Sequence, residues 1–256
     1  MMMGPAGKAL AAGPESVTGN PALIESGFTA AGGRWNLQTT GVSVAGGISA
    51  GPGIKLSGGM TYLGRGGIVG RDAAGAVTGE YSFGSGTAVI GMSYLLTSWL
   101  KAGVSAGISW ENIAEQGGTG LNCSAGLAAG FPSGLNAGLA VSGIGQAPQW
   151  NGIRKNMPVE ISAGVSYPFG SIFTGFAGGK TGFSTSHALG GGLQVNYSEL
   201  AFTAGYQYVP DEDEISGFFT GLRYSYTSGG TYTIEAALTQ RDELSWPVFV
   251  GISVSL

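Results

Sequence analysis

The sequence predicts an all-β fold, a 14-stranded antiparallel transmembrane β-barrel over residues 27–256 with a short N-terminal segment, residues 1–26, inside its lumen. Three observations lead there. Apolar residues alternate with small or polar ones along most of the chain, the period-two signature of strands with unlike faces. Only 10% of residues are charged, against about 25% in a typical soluble domain, and 50 of 256 are Gly without a collagen-like period. The alternating runs are roughly ten to thirteen residues long, beyond the usual five or six and close to the nine to eleven that cross a bilayer.

The stretch LAFTAGYQYV, 200–209, shows how the faces divide. Leu200, Phe202, Ala204, Tyr206 and Tyr208 share one side; Ala201, Thr203, Gly205 and Gln207 share the other. A half-buried strand of a soluble protein would carry Lys and Glu on its wet side, whereas here that side is small and nearly uncharged. The apolar side is therefore expected to meet membrane lipid and the small side to line a lumen. Other classes fall away. No run of about 18 apolar residues exists, which excludes a transmembrane helix. The net charge of −4 is unpatterned and argues against nucleic acid as a partner. Cys123 is the sole cysteine, so no internal disulfide forms.

Taken in order, the chain begins with MMMGPAGKALAAGPES, which lacks a positive n-region, a long apolar stretch and a clear cleavage site. A signal peptide is absent from the sequence as given. The Ala-rich segment 7–26 reads as helical up to Asn20, where Pro21 is expected to stop it. Strands follow at roughly 27–36, 39–49, 52–64, 86–96, 99–111, 118–131, 134–145, 157–168, 171–180, 187–196, 199–209, 216–227, 230–240 and 246–256. Long links at 65–85, 146–156 and 210–215 alternate with short turns at Thr97–Ser98, Pro132–Ser133, Ser198–Glu199 and Ser228–Gly229. Outer-membrane barrels have that asymmetry, tight on the periplasmic side and longer outside.

Aromatic positions agree. Tyr94, Phe131, Tyr167, Tyr197, Tyr226 and Tyr232 fall near the tight-turn ends of strands, and Tyr62, Trp110, Tyr206 and Tyr208 near the other ends. Two such girdles mark the lipid–water boundaries of a spanning barrel. Parity between Tyr226 and Tyr232 requires a three-residue turn, Ser228-Gly229-Gly230, which sets Arg223 opposite Glu235 inside the lumen. These two are expected to pair, chiefly to neutralise one another.

Asn20-Pro21-Ala22-Leu23, placed before the first strand, resembles the N-terminal hatch of the long-chain fatty-acid transporter FadL and its relatives, in which an Asn-Pro-Ala segment sits within the barrel. The remainder is similar to the PorV/PorQ branch of that superfamily. RDAAGAVTGEYSF (71–83) resembles its Asp-x-x-Gly link, GLAVSGIGQAPQW its seventh strand and MPVEISAGVSYPF its Pro-led eighth, with AFTAGYQY and GFFTGLRYSY following in family order. Two departures stand out. The chain ends in Leu256 where bacterial barrels usually end in Phe, and its links are short for members that act in type IX secretion. The resemblance implies a bacterial outer-membrane location and a role in binding or passing small hydrophobic molecules. The alternative it implies is a non-transporting adaptor that binds partner proteins of an envelope or secretion assembly.

Fourteen strands enclose more space than their own side chains fill. Gly103, Gly107, Gly126, Gly130, Gly164, Gly192, Gly205 and Gly221 are expected to face inward, as if something approached the wall closely. That occupant is the N-terminal segment, either alone or beside a hydrophobic ligand. Enzymatic readings are weak. His187 lies near Ser184 and Ser186 but has no Asp or Glu nearby in sequence to hold it as a base. The DEDE loop, 211–214, lacks the spacing of a calcium loop, GRGGIVG (64–70) has no phosphate-cradle context, and Cys123 points to lipid by parity. No enzyme, cofactor or metal site is expected.

Overall fold

The computed structural model describes residues 4–34, 39–114, 116–150, 153–183, 187–210, 216–240 and 247–255. The strands are β1 (Gly27–Arg34), β2 (Thr40–Gly51), β3 (Ile54–Arg71), β4 (Val77–Leu95), β5 (Leu100–Ile113), β6 (Gln116–Gly130), β7 (Asn136–Trp150), β8 (Ile153–Asn156), β9 (Val159–Phe169), β10 (Phe173–Phe183), β11 (Ala188–Tyr197), β12 (Leu200–Tyr208), β13 (Gly217–Thr227), β14 (Thr231–Thr239) and β15 (Val248–Ser255). Each pairs antiparallel with its neighbour along the chain, β1 pairs with β15, and the sheet closes into a 14-stranded barrel. The short β8 is the exception, pairing with the far end of β7.

The two faces are inverted relative to a soluble sheet. On β12, Leu200, Phe202, Tyr206 and Tyr208 are exposed on the outside, while Ala201 is buried and Thr203 has no exposed surface. On β5, Val104 and Ile108 point out, and Gly103, Ser105 and Ser109 are buried within. An outer surface of Phe, Leu, Ile and Val suits hydrocarbon, not water. Aromatics ring its two borders. Trp99 stacks on Phe131 with ring centroids 5.6 Å apart, and Tyr226 faces Tyr232 across β13–β14. At the opposite border Tyr206 meets Phe218 edge-on at 5.1 Å.

Two expectations about connections change. Residues 65–85 are not a loop: β3 and β4 continue beyond the wall and stay paired, from Ile68↔Tyr81 to Arg71↔Val77. The period-two pattern persists there, and a bulge between Arg65 and Ile68 takes up the glycines. The true link is Asp72–Ala76, where the Asp72 carboxylate accepts from the N–H groups of Ala74 and Ala76 at 2.9 Å and Gly75 has φ 85°. Residues 146–156 likewise form a hairpin, the end of β7 returning as β8. The turn between β13 and β14 is the three-residue Ser228-Gly229-Gly230, with Gly229 at φ 68°. Ser184 and Ser186, the 211–214 loop and Leu256 lie outside the described residues.

The N-terminal segment is not one helix running to Asn20. It is a seven-residue helix, α1 (Gly4–Leu10), then 3₁₀ turns at Pro14–Thr18 and Pro21–Leu23. Pro14 lacks the N–H that would continue α1, and Gly13 sits at φ 154°. Pro21 begins a turn where it was expected to end a helix. The first helical position tolerates Pro, and the Asn20 side chain caps that turn by accepting from the Ala22 N–H at 3.1 Å.

Leu222 lies mid-strand on β13 and is 52% exposed on the outer face. Leu222→Arg is expected to lower stability in lipid vesicles by about 2–4 kcal/mol, as charge on a lipid face does near the midplane. Leu222→Met should cost less than about 1.5 kcal/mol. Denaturant titration of both variants measures the difference.

Candidate functional site

The N-terminal segment lies inside the barrel. Ala6, Ala9, Val17, Asn20, Ala22 and Ile24 have no exposed surface. Asn20 is the pivot of its packing. Its amide nitrogen donates to the carbonyls of Ala9 and of Leu127 on β6, both at 3.0 Å, while its amide oxygen caps Ala22. One side chain therefore joins α1, the wall and the second 3₁₀ turn. Pro21 and Ala22 press on β5, and Leu23 donates to the Asn20 carbonyl at 3.0 Å.

The wall gives way with glycine where this segment touches it. A Cβ on Gly126 would lie 2.0 Å from the Asn20 amide oxygen, and one on Gly103 2.2 Å from the Pro21 carbonyl carbon. Gly164 meets Leu10 in the same way. Other inward glycines are covered by the wall's own side chains: Gly192 by Phe176 and Gly205 by Phe219. Those two rings, 6.1 Å apart, pack with Ala6 and Leu10 into an apolar cluster within the lumen. Reading the inner face as uniformly small missed them, although both stand at inward parity in FTGF and GFFTG.

Several charges inside the barrel are paired. Lys8 of α1 reaches Glu160 on β9 at 2.7 Å, and Lys180 on β10 approaches the other carboxylate oxygen at 3.7 Å. Glu25 is paired with Lys55 on β3 and with Lys101 on β5, the latter at 2.8 Å. Arg223 and Glu235 stand directly opposite one another with Nε and Oε2 at 4.0 Å. Sequence reasoning found only the last pair. In strands this poor in charge, each inward Lys or Glu needs a counter-charge, and that rule points to Glu160, Lys101 and Lys180. Glu15 differs: burial, seconded by the Glu235 carboxylate, raises its carboxyl above the ordinary value, against the opposing pull of its backbone hydrogen bond and of Arg223. Its Oε2 is buried without a hydrogen bond.

The wall itself is interrupted. The β7–β9 ladder runs from Asn136↔Ser166 to Ser142↔Glu160, and pairing resumes only at Gln146↔Asn156. Between these points stand Gly143, at φ 76°, and Pro158, which has no N–H to donate. The Pro158 carbonyl rests so near Gly143 that a Cβ there would lie 2.0 Å from it. On the other side of β7, pairing with β6 shifts between Cys123 and Ala125, a bulge at the same level. Ile144, inside this break, faces outward into an apolar groove of about 910 Å³ that Ile90, Val104 and Cys123 also line.

Barrel, inner segment and broken wall define the class: a 14-stranded barrel filled from within by its own N-terminus. The same fold is found in solved structures, among them two toluene transporters. The toluene transporter TodX of Pseudomonas putida is similar with a TM-score of 0.70 at 12% identity, over 99% of this chain and 96% of that one. The toluene transporter TbuX of Ralstonia pickettii gives 0.67 at 14%, over 99% and 97%. A FadL homologue of Pseudomonas aeruginosa gives 0.67 at 9%, over 97% and 95%. No protein-family model and no curated protein matches the sequence.

Asn20→Ala should cost about 1–3 kcal/mol, the usual penalty for stranding buried partners, here the Ala9 and Leu127 carbonyls. A lowered Tm together with faster proteolysis before residue 27 is the expected reading. For Glu15, a folded-state value raised above the ordinary 4.5 means that the folded chain binds the proton more tightly. Its contribution to stability is therefore full below pH 4.5 and falls as pH rises through the folded value. Glu15→Gln is expected to stabilise the protein at neutral pH and flatten that decline, which thermal melts at a series of pH values record.

Proposed function

We propose that this chain is a bacterial outer-membrane channel through which small hydrophobic molecules pass. The observation that carries the reading is the break between β7 and β9. Backbone ladders in a lipid-facing wall are normally continuous, because an unpaired N–H or C=O in hydrocarbon costs several kcal/mol. Here Pro158 and Gly143 interrupt the ladder, and an apolar groove adjoins the interruption on the outside. With the lumen occupied by residues 6–24, a molecule dissolved in the barrel has a sideways route to lipid at that point.

In this mechanism a ligand enters from the hairpin end, contacts the Phe176–Phe219 cluster and moves past the inner segment as its helical part, α1, gives way. Asn20, Pro21, Ala22 and Leu23 act as a hatch; Arg223 and Glu235 keep the lumen neutral. Compact apolar molecules suit a site made by two phenyl rings, a helix of Ala and Leu, and glycine. Two of the similar structures are toluene transporters by name, which supports the same class of cargo. In this reading the protein works as a channel and not as an enzyme. Membrane lipid surrounds it.

The adaptor reading, closer to the PorV/PorQ resemblance, has one support of its own. The β3–β4 hairpin stands beyond the wall with Val69 and Val77 exposed. A partner protein that binds through this hairpin would co-purify with the wild type and be lost on deletion of residues 66–80.

Uptake of radiolabelled toluene, with oleate as a second probe, tests the channel in cells that lack their own channel for hydrophobic compounds. Expression should raise uptake of at least one probe. Pro158→Val, which returns an N–H to the broken ladder, should reduce that gain by roughly tenfold, the effect of about 1.4 kcal/mol on the opening equilibrium. Uptake equal to that of cells without the protein, for both probes, refutes the proposal.

A further inference from the structure

The inner segment is held differently in its two halves. Residues 13–26 are bolted to β3–β6. The Ser57 hydroxyl donates to the Pro14 carbonyl at 2.7 Å, Asn20 to Leu127 at 3.0 Å and Ser93 to the Ile24 carbonyl at 3.5 Å. Glu25 adds its ion pairs with Lys55 and Lys101. By contrast, α1 crosses β7, β9 and β10 at their glycines. A Cβ on Gly138 would stand 1.9 Å from the Ala9 carbonyl oxygen, one on Gly164 2.9 Å from Leu10 Cγ, and one on Gly178 2.8 Å from Ala6 Cα. Glycine there lets the helix approach closely; the helix's side-chain contacts with the wall are apolar, Ala6 and Leu10 against Phe176 and Phe219, apart from one ion pair, and Ala9 accepts from Asn20 of the other half at 3.0 Å.

The two halves meet at Ala11 and Ala12, which belong to no helix. Just beyond, Gly13 is pinned to the fixed half: its N–H donates to the Leu23 carbonyl at 3.2 Å and its carbonyl accepts from Glu25 at 3.4 Å. A hinge with one anchored side results. The helix is seven residues long, too short to persist without its surroundings. Its charged hold on the wall is the 2.7 Å contact between Lys8 and Glu160, whose second oxygen is near Lys180. Glu160 also forms the last β7–β9 pair before the ladder breaks. The same residue therefore meets the helix through its side chain and forms the edge of the gap through its backbone.

We propose that α1 is the movable half of the inner segment, swinging about Ala11–Ala12 while residues 13–26 remain in place, and that the Lys8–Glu160 ion pair is the latch tying it to the break in the wall. Glu160 and Lys8 are positioning residues in this device. The inference does not depend on what crosses the barrel.

Hydrogen exchange and ion conductance test it without any hydrophobic ligand, on the full chain in lipid nanodiscs and planar bilayers. Lys8→Glu should speed exchange of the amides of residues 8–11 by roughly tenfold, between the small effect of an exposed pair and the large one of a buried pair. Exchange in residues 14–24 should stay as in the wild type, and bilayer conductance should rise with the faster exchange. The charge swap Lys8→Glu/Glu160→Lys/Lys180→Glu, which spares the new lysine a like charge from residue 180, should restore both readings. Lys8→Met, which removes the charge without adding another, should give the same direction as Lys8→Glu and serves if that variant does not fold. The latch is overturned if residues 8–11 and 14–24 speed up together, if neither Lys8 variant changes exchange, or if the charge swap fails to restore it. Toluene uptake does not enter these measurements, so failure of the channel reading would leave the latch standing, and the converse.

Discussion

The structure depends on one constraint: in hydrocarbon, the backbone must satisfy its own hydrogen bonds. Water is not there to take an unpaired N–H, and an open sheet edge would expose a full row of them. Pairing β1 with β15 removes the edge. Once the ring is closed, every strand has an inside and an outside, and the side-chain alternation must match that division along its whole length. The Phe, Leu and Ile stripes are then outside because lipid accepts them, and the Gly, Ala and Ser stripes inside because space there is limited.

Closure creates a second problem, an interior too wide for its wall to fill. The chain fills it with its own N-terminus, at the cost of bringing backbone against backbone. Glycine at 126, 138, 164 and 178 makes that approach sterically possible. Directional contacts then fix the position, with Asn20 satisfying two carbonyls and Glu25 two lysines. A charged group in such a space is costly without a counter-charge, so Lys8, Glu160 and Lys180 cluster, as do Arg223 and Glu235.

The break between β7 and β9 is where the governing constraint is relaxed. Unpaired backbone at membrane depth is tolerated where protein or a cavity shields it. Pro158 has no donor to leave stranded, and Gly143 lets its carbonyl approach, so the cost of the interruption is kept low. The last paired residue, Glu160, is turned inward to Lys8. A local departure from regular pairing is thus joined physically to the occupant of the lumen.

Much of the fold was legible in advance, because a barrel's alternation and parity are properties of neighbouring residues. LAFTAGYQYV assigned its own inside and outside, and the Ser228-Gly229-Gly230 turn set Arg223 against Glu235. Asn20-Pro21-Ala22-Leu23 could be singled out as an unusual segment, but its partners, Leu127, Gly103 and Gly126, lie about a hundred residues away, and periodicity is silent about them. The hairpin extensions at 65–85 and 146–156 escaped notice because glycine-rich alternation looks the same in a loop as in a bulged strand. By itself, then, the sequence determined the closed barrel and which face meets lipid, since both follow from local period and composition. Only the tertiary structure decided where the inner segment rests, which charges meet and where the wall breaks, because those depend on contacts between residues that the chain brings together from afar.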